Sequence, residues 1–406
     1  MRLLDSIPVA TVYGERAAPH PAPGTFPQLT TRGRVFWDAR ADRLYMLRGV
    51  SALTALAPGK DWQAYLRWAK EAGYWWERTF AGHLAWAGQT AASARRGLPD
   101  LLDFNANIGM GVEVTAVTDS REGGYDPEDH IAQVAEIIRA SGHPAVLLEL
   151  ANEIGHPTQH EDVDAVHLRE WGHRHCGGLL WAVGSTGDEL TAPPDSSYDG
   201  MGGHYITCHL DRGRDLLNQI RRLKEMHDIT ERYGDPTIDN ERLGADSRDG
   251  SETGRQRTNQ PWFFFAAGVL NRGFSRASFH HSQAGLHCEI PDHVQRACAA
   301  AELEGQRVVE DVLGADTVPD FINAGHGGSP VTNQGGSAAF EDRGHDGGAQ
   351  GPFIRAYSFT SGDRAATCAL HRPESYPEGV LAWGSGWAPV RTVTTHPHVT
   401  VIESRR

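Results

Sequence analysis

Two Asn-Glu pairs close short apolar, β-rich runs in this chain: Asn152-Glu153 follows from AVLLELAN (145–152), and Asn240-Glu241 ends PTIDNE (236–241). A carboxyl group at the end of a strand is anchored at its base and free at its tip. Two of them on opposite sides of a cleft suit hydrolysis of a glycosidic bond. One protonates the leaving oxygen, and the other acts from the opposite face of the sugar as nucleophile or as base to a water. Other polar residues end or nearly end runs of the same kind: Arg78 in GYWWERTF (73–80), His204 and Tyr205 in DGMGGHYI (199–206), and His280 in RASFHH (276–281). Glu149 has the strand parity of Glu153 and should point inward below it, where a charge requires a partner, so it reads as support for the site. Trp75, Trp76 and Trp86 lie near the second run. A Trp at a strand–helix junction is commonly core, but Trp86 is a candidate to stack on a sugar ring.

The elements that must position these residues are legible as an alternation. From residue 44 to about 313, β-rich runs at 44–50, 73–80, 110–117, 145–152, 178–184, 199–206, 236–241 and 276–281 are interleaved with helical patterns at 61–72, 97–107, 126–141, 161–175, 214–232, 260–271 and 291–313. Eight successive β-then-α units predict an α/β fold of the closed (β/α)8 kind, a TIM barrel, whose reactive groups sit at the carboxyl ends of the strands. The link 185–198 is rich in Pro, Ser and Asp and is expected to lack a full helix. RVFWDARADRLYML (34–47) reads as a hairpin closing the barrel floor. The barrel is expected over 34–320. After it, residues 321–406 begin with a Gly-rich linker and continue as a small antiparallel, β-sandwich-like module built from FIRAYSF, AATCAL, GVLAW and HVTVIE. The extension 1–33 contains one β-rich run, IPVATVY (7–13), expected to pair with the C-terminal sheet.

Several chemistries lack support. The 406-residue chain carries a formal charge of −14 and no basic run interleaved with aromatics, so nucleic acid is not an expected partner. The 21 histidines include a local group, His280, His281 and His287, but adjacent strand residues face opposite ways and no metal-ligand motif accompanies them, so no metal and no cofactor is expected. HGGS (326–329) is not joined by any G-x-S-x-G elbow, and no phosphate-binding glycine motif follows a strand. The five cysteines are widely spaced and read as reduced thiols. The beginning of the chain shows no signal-peptide pattern and no apolar run is long enough for a membrane span, which predicts a cytoplasmic protein or one released by a non-classical route.

The stretch VLLELANEIGH (146–156) resembles the fourth-strand segment of glycoside hydrolase clan A barrels, above all the cellulase-like family 5. PTIDNERLGA (236–245) is similar to that family's seventh-strand motif, and RGV (48–50) and ERTF (77–80) match its first and second strand ends. The resemblance covers about residues 34–290. It implies a retaining glycosidase acting on an oligo- or polysaccharide, with Glu153 as acid/base and Glu241 as nucleophile. Asn152 would bind the sugar 2-hydroxyl and Arg78 would keep Glu241 ionised, with His204, Tyr205, His280 and Trp86 as further substrate contacts. The chain departs from the pattern in having Ile154 after Asn-Glu, His204-Tyr205-Ile206 on the sixth strand, and Phe279, His280 and His281 on the eighth. The alternative is a carbohydrate-binding or structural protein that kept the barrel without turnover. Carboxyls about 5–5.5 Å apart would favour the enzyme. A wider gap, or a cleft plugged by the loop 247–257, would favour the binding protein.

Overall fold

A computed structural model describes residues 26–184, 203–209, 216–241, 244–246, 257–322, 329–331, 354–371, 381 and 383–406. Its centre is an eight-stranded parallel sheet formed by Arg48–Ser51, Trp76–Phe80, Gly111–Val117, Val146–Ala151, Leu180–Gly184, Ile206–Cys208, Thr237–Asp239 and Ala277–His280. The neighbours run fifth, fourth, third, second, first, eighth, seventh, sixth. The ring closes between the fifth strand and the segment entering the sixth, where the His204 amide donates to the Trp181 carbonyl at 2.8 Å. This is the (β/α)8 barrel that the alternation predicts.

The alternation of side chains along the strands divides the barrel into an inside and an outside. Outward residues such as Val50, Val112, Val114, Leu148 and Leu150 pack beneath the surrounding helices. Inward residues near the amino ends, including Trp76, Leu147, Ile238 and Phe279, join Phe36 from the strand Val35–Asp38 in an apolar floor. That strand belongs to an antiparallel sheet with Leu29–Arg32 and Arg43–Leu44, so the floor hairpin forms with one additional strand. Large inward side chains need space opposite them: a side chain at Gly49 would overlap the Phe279 ring, and one at Gly111 would overlap Trp76.

Helix entry is encoded locally. Asp61, Asp126, Asp164 and Asp292 each accept hydrogen bonds from backbone amides of the first turn, satisfying donors that the helix itself cannot. The helix Pro261–Gly273 is different from the others because it is apolar on every side as far as Leu270 and buried along almost its whole length, with Asn271 and Arg272 bonded to Asp239 and Glu310. It is enclosed by the barrel, by the helix His293–Leu313 and by the C-terminal sheet, and residues of all three form one continuous core.

That sheet contains Asp320–Ile322, Ile354–Ser361, Arg364–His371, Val399–Arg405 and Ala388–His396, antiparallel and in this spatial order. Its inner face is anchored by Phe359, which meets the Phe274 ring edge-on at 5.0 Å and fills the space above Gly273. Among the described residues the layer against this face is helical, while Val331, Leu381 and Trp383 pack with Ala356, Ala369 and Ile402. APVRTVTTH forms a strand that the sequence reading missed. Of GVLAW, Trp383 makes only an isolated bridge to Val331. The segments 7–13 and 185–198 lie outside the described residues. The sixth barrel strand requires a further correction. It is Ile206–Cys208, after the glycine-rich stretch assigned to it, because Ile-Thr-Cys has the β-branched residues that Gly200, Gly202 and Gly203 lack.

The contact between Pro261–Gly273 and His293–Leu313 makes a stability prediction. A Cβ at Gly305 would stand 2.2 Å from the Phe265 carbonyl oxygen, and one at Gly268 would stand 2.1 Å from that of Glu302. Gly→Ala inside an ordinary helix stabilises by about 1 kcal/mol. Here the backbone itself blocks the methyl group, so Gly305→Ala is expected to destabilise by about 1–3 kcal/mol, read as a lower denaturation midpoint.

Candidate active site

The site is assembled on one buried cation. Arg78 sits on the second strand with the inward parity of Trp76, and its guanidinium is wholly buried. Nη1 donates to Glu241 Oε2 at 3.0 Å, while Nη2 donates to Glu149 Oε2 at 2.7 Å and to Asn152 Oδ1 at 2.9 Å. Nε lies 3.2 Å from Thr115 Oγ1 and 3.7 Å from Glu113 Oε2. The second, third, fourth and seventh strands thus meet on a single side chain. Burial works against its charge, but Glu149, Glu241 and Glu113 outweigh that effect and hold the guanidinium above its ordinary pKa.

The two deeper carboxyls respond in opposite directions. Burial favours the neutral form of both, but Arg78 and then His209 overcome it at Glu149, which is held below the usual carboxylate value. Thr115 Oγ1 donates to the same carboxylate at 2.5 Å. Burial and the neighbouring Glu149 charge instead push Glu113 up to about 8. Asn240 Nδ2 bridges the pair, 3.2 Å from Glu113 Oε2 and 3.4 Å from Glu149 Oε1. Arg78 thus favours the ionised form of Glu149, while burial beside that charge favours the protonated form of Glu113.

Above this layer stand Glu153, His209 and Glu241. His209 immediately follows the sixth strand and is almost fully buried; its Nδ1 lies 3.5 Å from Glu153 Oε1 and its Nε2 lies 3.4 Å from Glu241 Oε2. One carboxylate oxygen of Glu153 and one of Glu241 lie within 4.8 Å of each other. Glu153 is 26% exposed, so the pair opens to solvent on its side. Glu153 also has a left-handed backbone, with φ of 49°, a conformation that a non-glycine residue keeps only when its surroundings impose it. They do so here. Gln159 Nε2 donates to the Asn152 carbonyl at 2.8 Å, and Gln159 Oε1 accepts from the Ser120 amide and hydroxyl at 3.1 and 3.0 Å.

The remaining sequence candidates divide. The structure brings Arg78 and Asn152 to the carboxylates. His204 is at the amino end of the barrel, bonded to the Trp181 backbone, and Tyr205 is buried beside Glu113 with its ring against Phe36 on the floor. Both positions follow from the misplaced sixth strand, and the residue that reaches the cleft is His209. The signal for it was the ITC run, whose end is the residue that follows. His280 faces outward, where its Nδ1 lies 2.7 Å from Glu302 of the helix His293–Leu313. Its strand parity is opposite to that of the floor residue Phe279, and His281 has the inward parity, with Nδ1 2.9 Å from Ser51 Oγ. Trp86 is on the loop after the second strand and is 53% exposed. Its ring stands edge-on to His287, from the helix after the eighth strand, at 5.8 Å. Among the described residues no helix is long and apolar enough to cross a membrane, and the five cysteines are buried and outside any disulfide.

No protein-family model matches this chain, and no curated protein sequence is similar to it. Solved structures are similar in fold. A glycoside hydrolase family 5 protein from Bacteroides vulgatus aligns over 95% of this chain and 95% of its own, with TM-score 0.61 and 11% identity. A second putative glycoside hydrolase from that organism covers 96% of this chain and 84% of its own, with TM-score 0.57 and 12% identity. Another structure described as a glycoside hydrolase covers 94% and 98%, with TM-score 0.60 and 10% identity. The chain therefore has the fold of the glycoside hydrolase barrels, including the C-terminal sheet within the aligned length.

The raised Glu113 makes a pH prediction. The folded state retains a proton there that the unfolded chain loses near 4.5, so the stability contribution is complete below 4.5 and is lost as pH rises to about 8. Measured relative to Glu113→Gln, which keeps the shape without the ionisation, the melting temperature of the wild type should therefore fall across that window, as checked by thermal melts of both proteins from pH 4.5 to 9.

Proposed function

We propose that this chain hydrolyses glycosidic bonds of an oligo- or polysaccharide by a retaining double displacement, with Glu241 as nucleophile and Glu153 as acid/base. The observation that carries the reading is the placement of the two carboxylates, with oxygens within 4.8 Å of each other at the carboxyl end of the barrel and Arg78 directly under Glu241. Retaining enzymes hold their carboxyls about 5–5.5 Å apart, whereas inverting enzymes need about 6.5–9.5 Å to admit a water. The spacing supports direct attack by a carboxylate.

In the first step Glu241, kept ionised by the Arg78 guanidinium, attacks the anomeric carbon while Glu153 gives its proton to the departing oxygen. In the second step Glu153, now ionised, takes a proton from a water that attacks the glycosyl–Glu241 ester, releasing the sugar with its original anomeric configuration. His209, between the two, is a positioning residue that separates the carboxylates and presents one ring nitrogen to each. Asn152 accepts from Arg78 through its oxygen, which turns its amide NH2 away from the guanidinium, available to donate to a sugar hydroxyl. Trp86, exposed on the rim of the same end, supplies a flat apolar face for a sugar ring farther along the chain.

The roles are separable. On an activated aryl glycoside, Glu153→Ala should lose about 10²–10⁴-fold in turnover and recover part of it with added azide, giving a glycosyl azide of retained configuration. Glu241→Ala should be inactive alone and with azide should give the opposite anomer. Substitutions that leave hydrolysis unchanged in both would overturn the assignment.

Trp86→Ala should raise KM for long oligosaccharides while leaving kcat on a small aryl monoglycoside within about threefold, since loss of one stacked ring removes about 0.5–1.5 kcal/mol of binding. Equal effects on both substrates would place Trp86 outside the substrate path.

A further inference from the structure

His209 has a feature that carbohydrate chemistry does not require. Its Nδ1 is buried, has no hydrogen-bond partner among the described residues, and faces Glu153 Oε1, 3.5 Å away. A buried ring nitrogen in that condition carries a desolvation cost that a suitable ligand would remove. One ligand atom from each of Glu153, His209 and Glu241 lies within 4.8 Å of the other two.

We infer that Glu153, His209 and Glu241 form a binding site for a divalent transition ion of the zinc class, and that such an ion and a sugar substrate exclude each other. The donor set is one imidazole and two carboxylates, the mixture that zinc accepts with a fourth position left open. Zinc–ligand bonds of about 2.0–2.1 Å in a tetrahedron place neighbouring donor atoms about 3.3 Å apart. An imidazole ligates one ion through one nitrogen, and Nδ1, 3.5 Å from Glu153 Oε1, is the nitrogen available, since Nε2 faces Glu241 at 3.4 Å and Arg78 Nη2 at 3.5 Å. The three donor atoms lie within 4.8 Å of one another, so Glu241 must turn towards Nδ1 for the set to close on the ion. Solvent reaches the cluster on the Glu153 side, which gives the ion an entry path and a fourth, water ligand.

The charge balance sets the character of the site. Two carboxylates attract a dication, while Arg78, 3.0 Å from Glu241, opposes it. Affinity is therefore moderate and the ion exchangeable. Magnesium and calcium prefer six or more oxygen donors and are poorly served by an imidazole among three protein ligands, so selectivity favours zinc, copper or nickel. An ion here would occupy the lone pairs of Glu241 and the proton-carrying oxygen of Glu153 together. The exclusion of substrate rests on the catalytic reading of these carboxylates; binding of the ion does not.

Calorimetric titration of the metal-free full-length protein with zinc chloride tests binding without reference to activity. One ion per chain is expected, with magnesium chloride giving no comparable heat. Affinity should fall at least about tenfold in both His209→Asn and Glu241→Gln, which differ in the charge they remove. Cobalt chloride gives a second readout, since a four-coordinate cobalt site should add visible absorption that both substitutions abolish. Zinc should also raise apparent KM for an aryl glycoside, with reversal by a chelator. Zinc affinity unchanged in both variants would overturn the site, whatever their hydrolytic activity. Zinc bound at these residues without inhibition would overturn the exclusion. The catalytic reading fails on a different result, normal hydrolysis by the Glu153 and Glu241 variants in the absence of metal.

Discussion

A guanidinium with no solvent exposure requires partners around it, and in this molecule the barrel supplies them from three strands at once, the third, fourth and seventh. Arg78 cannot be buried alone, because an uncompensated charge at that depth would cost several kcal/mol. Glu149, Glu241 and Asn152 accept from it directly. The third strand adds Thr115 and Glu113, and Glu113 meets the excess of carboxyls by keeping its proton. The order of the layers follows. An apolar floor of Trp76, Leu147, Ile238 and Phe279 excludes water below, the Arg78 layer neutralises itself above it, and Glu153, His209 and Glu241 stand on that layer facing solvent.

The geometry at the top depends on constraints that act from outside the ring. Glu153 keeps a left-handed backbone because Gln159 and Ser120 fix the loop that follows the fourth strand. The eighth strand is held from behind by the pairing of His280 with Glu302, which commits that histidine to the helix layer. The helices there are themselves pressed together at Gly268 and Gly305 and covered by the C-terminal sheet through Phe359. The sheet thus completes the core of the seventh and eighth β/α units.

The barrel was legible in the sequence because most of its strands are compact apolar runs alternating with helical patterns, several of which begin with a capping residue, as at Asp126 and Asp292. Arg78, Asn152, Glu153 and Glu241 were legible because the ends of such runs converge in this fold. The sixth strand was not, since it has only three residues and follows glycines, so a shift of a few positions concealed His209 and promoted His204 and Tyr205. His280 was misassigned because parity separates it from His281 without saying which of the two faces inward, and the inward packing of Phe279 gives that place to His281. Glu113 escaped notice because a single polar residue inside an apolar run carries no signal of what it will face. Its partners arrive from the second, fourth and seventh strands, and only the closed ring brings them together.

The double displacement proposed for Glu153 and Glu241 requires one stereochemical outcome. Proton NMR of the sugar released in the first minutes of hydrolysis, before mutarotation, reads the anomer directly. The account predicts that it has the configuration of the bond that was cut. A first product of opposite configuration would require a water between the carboxylates, and would contradict attack by Glu241.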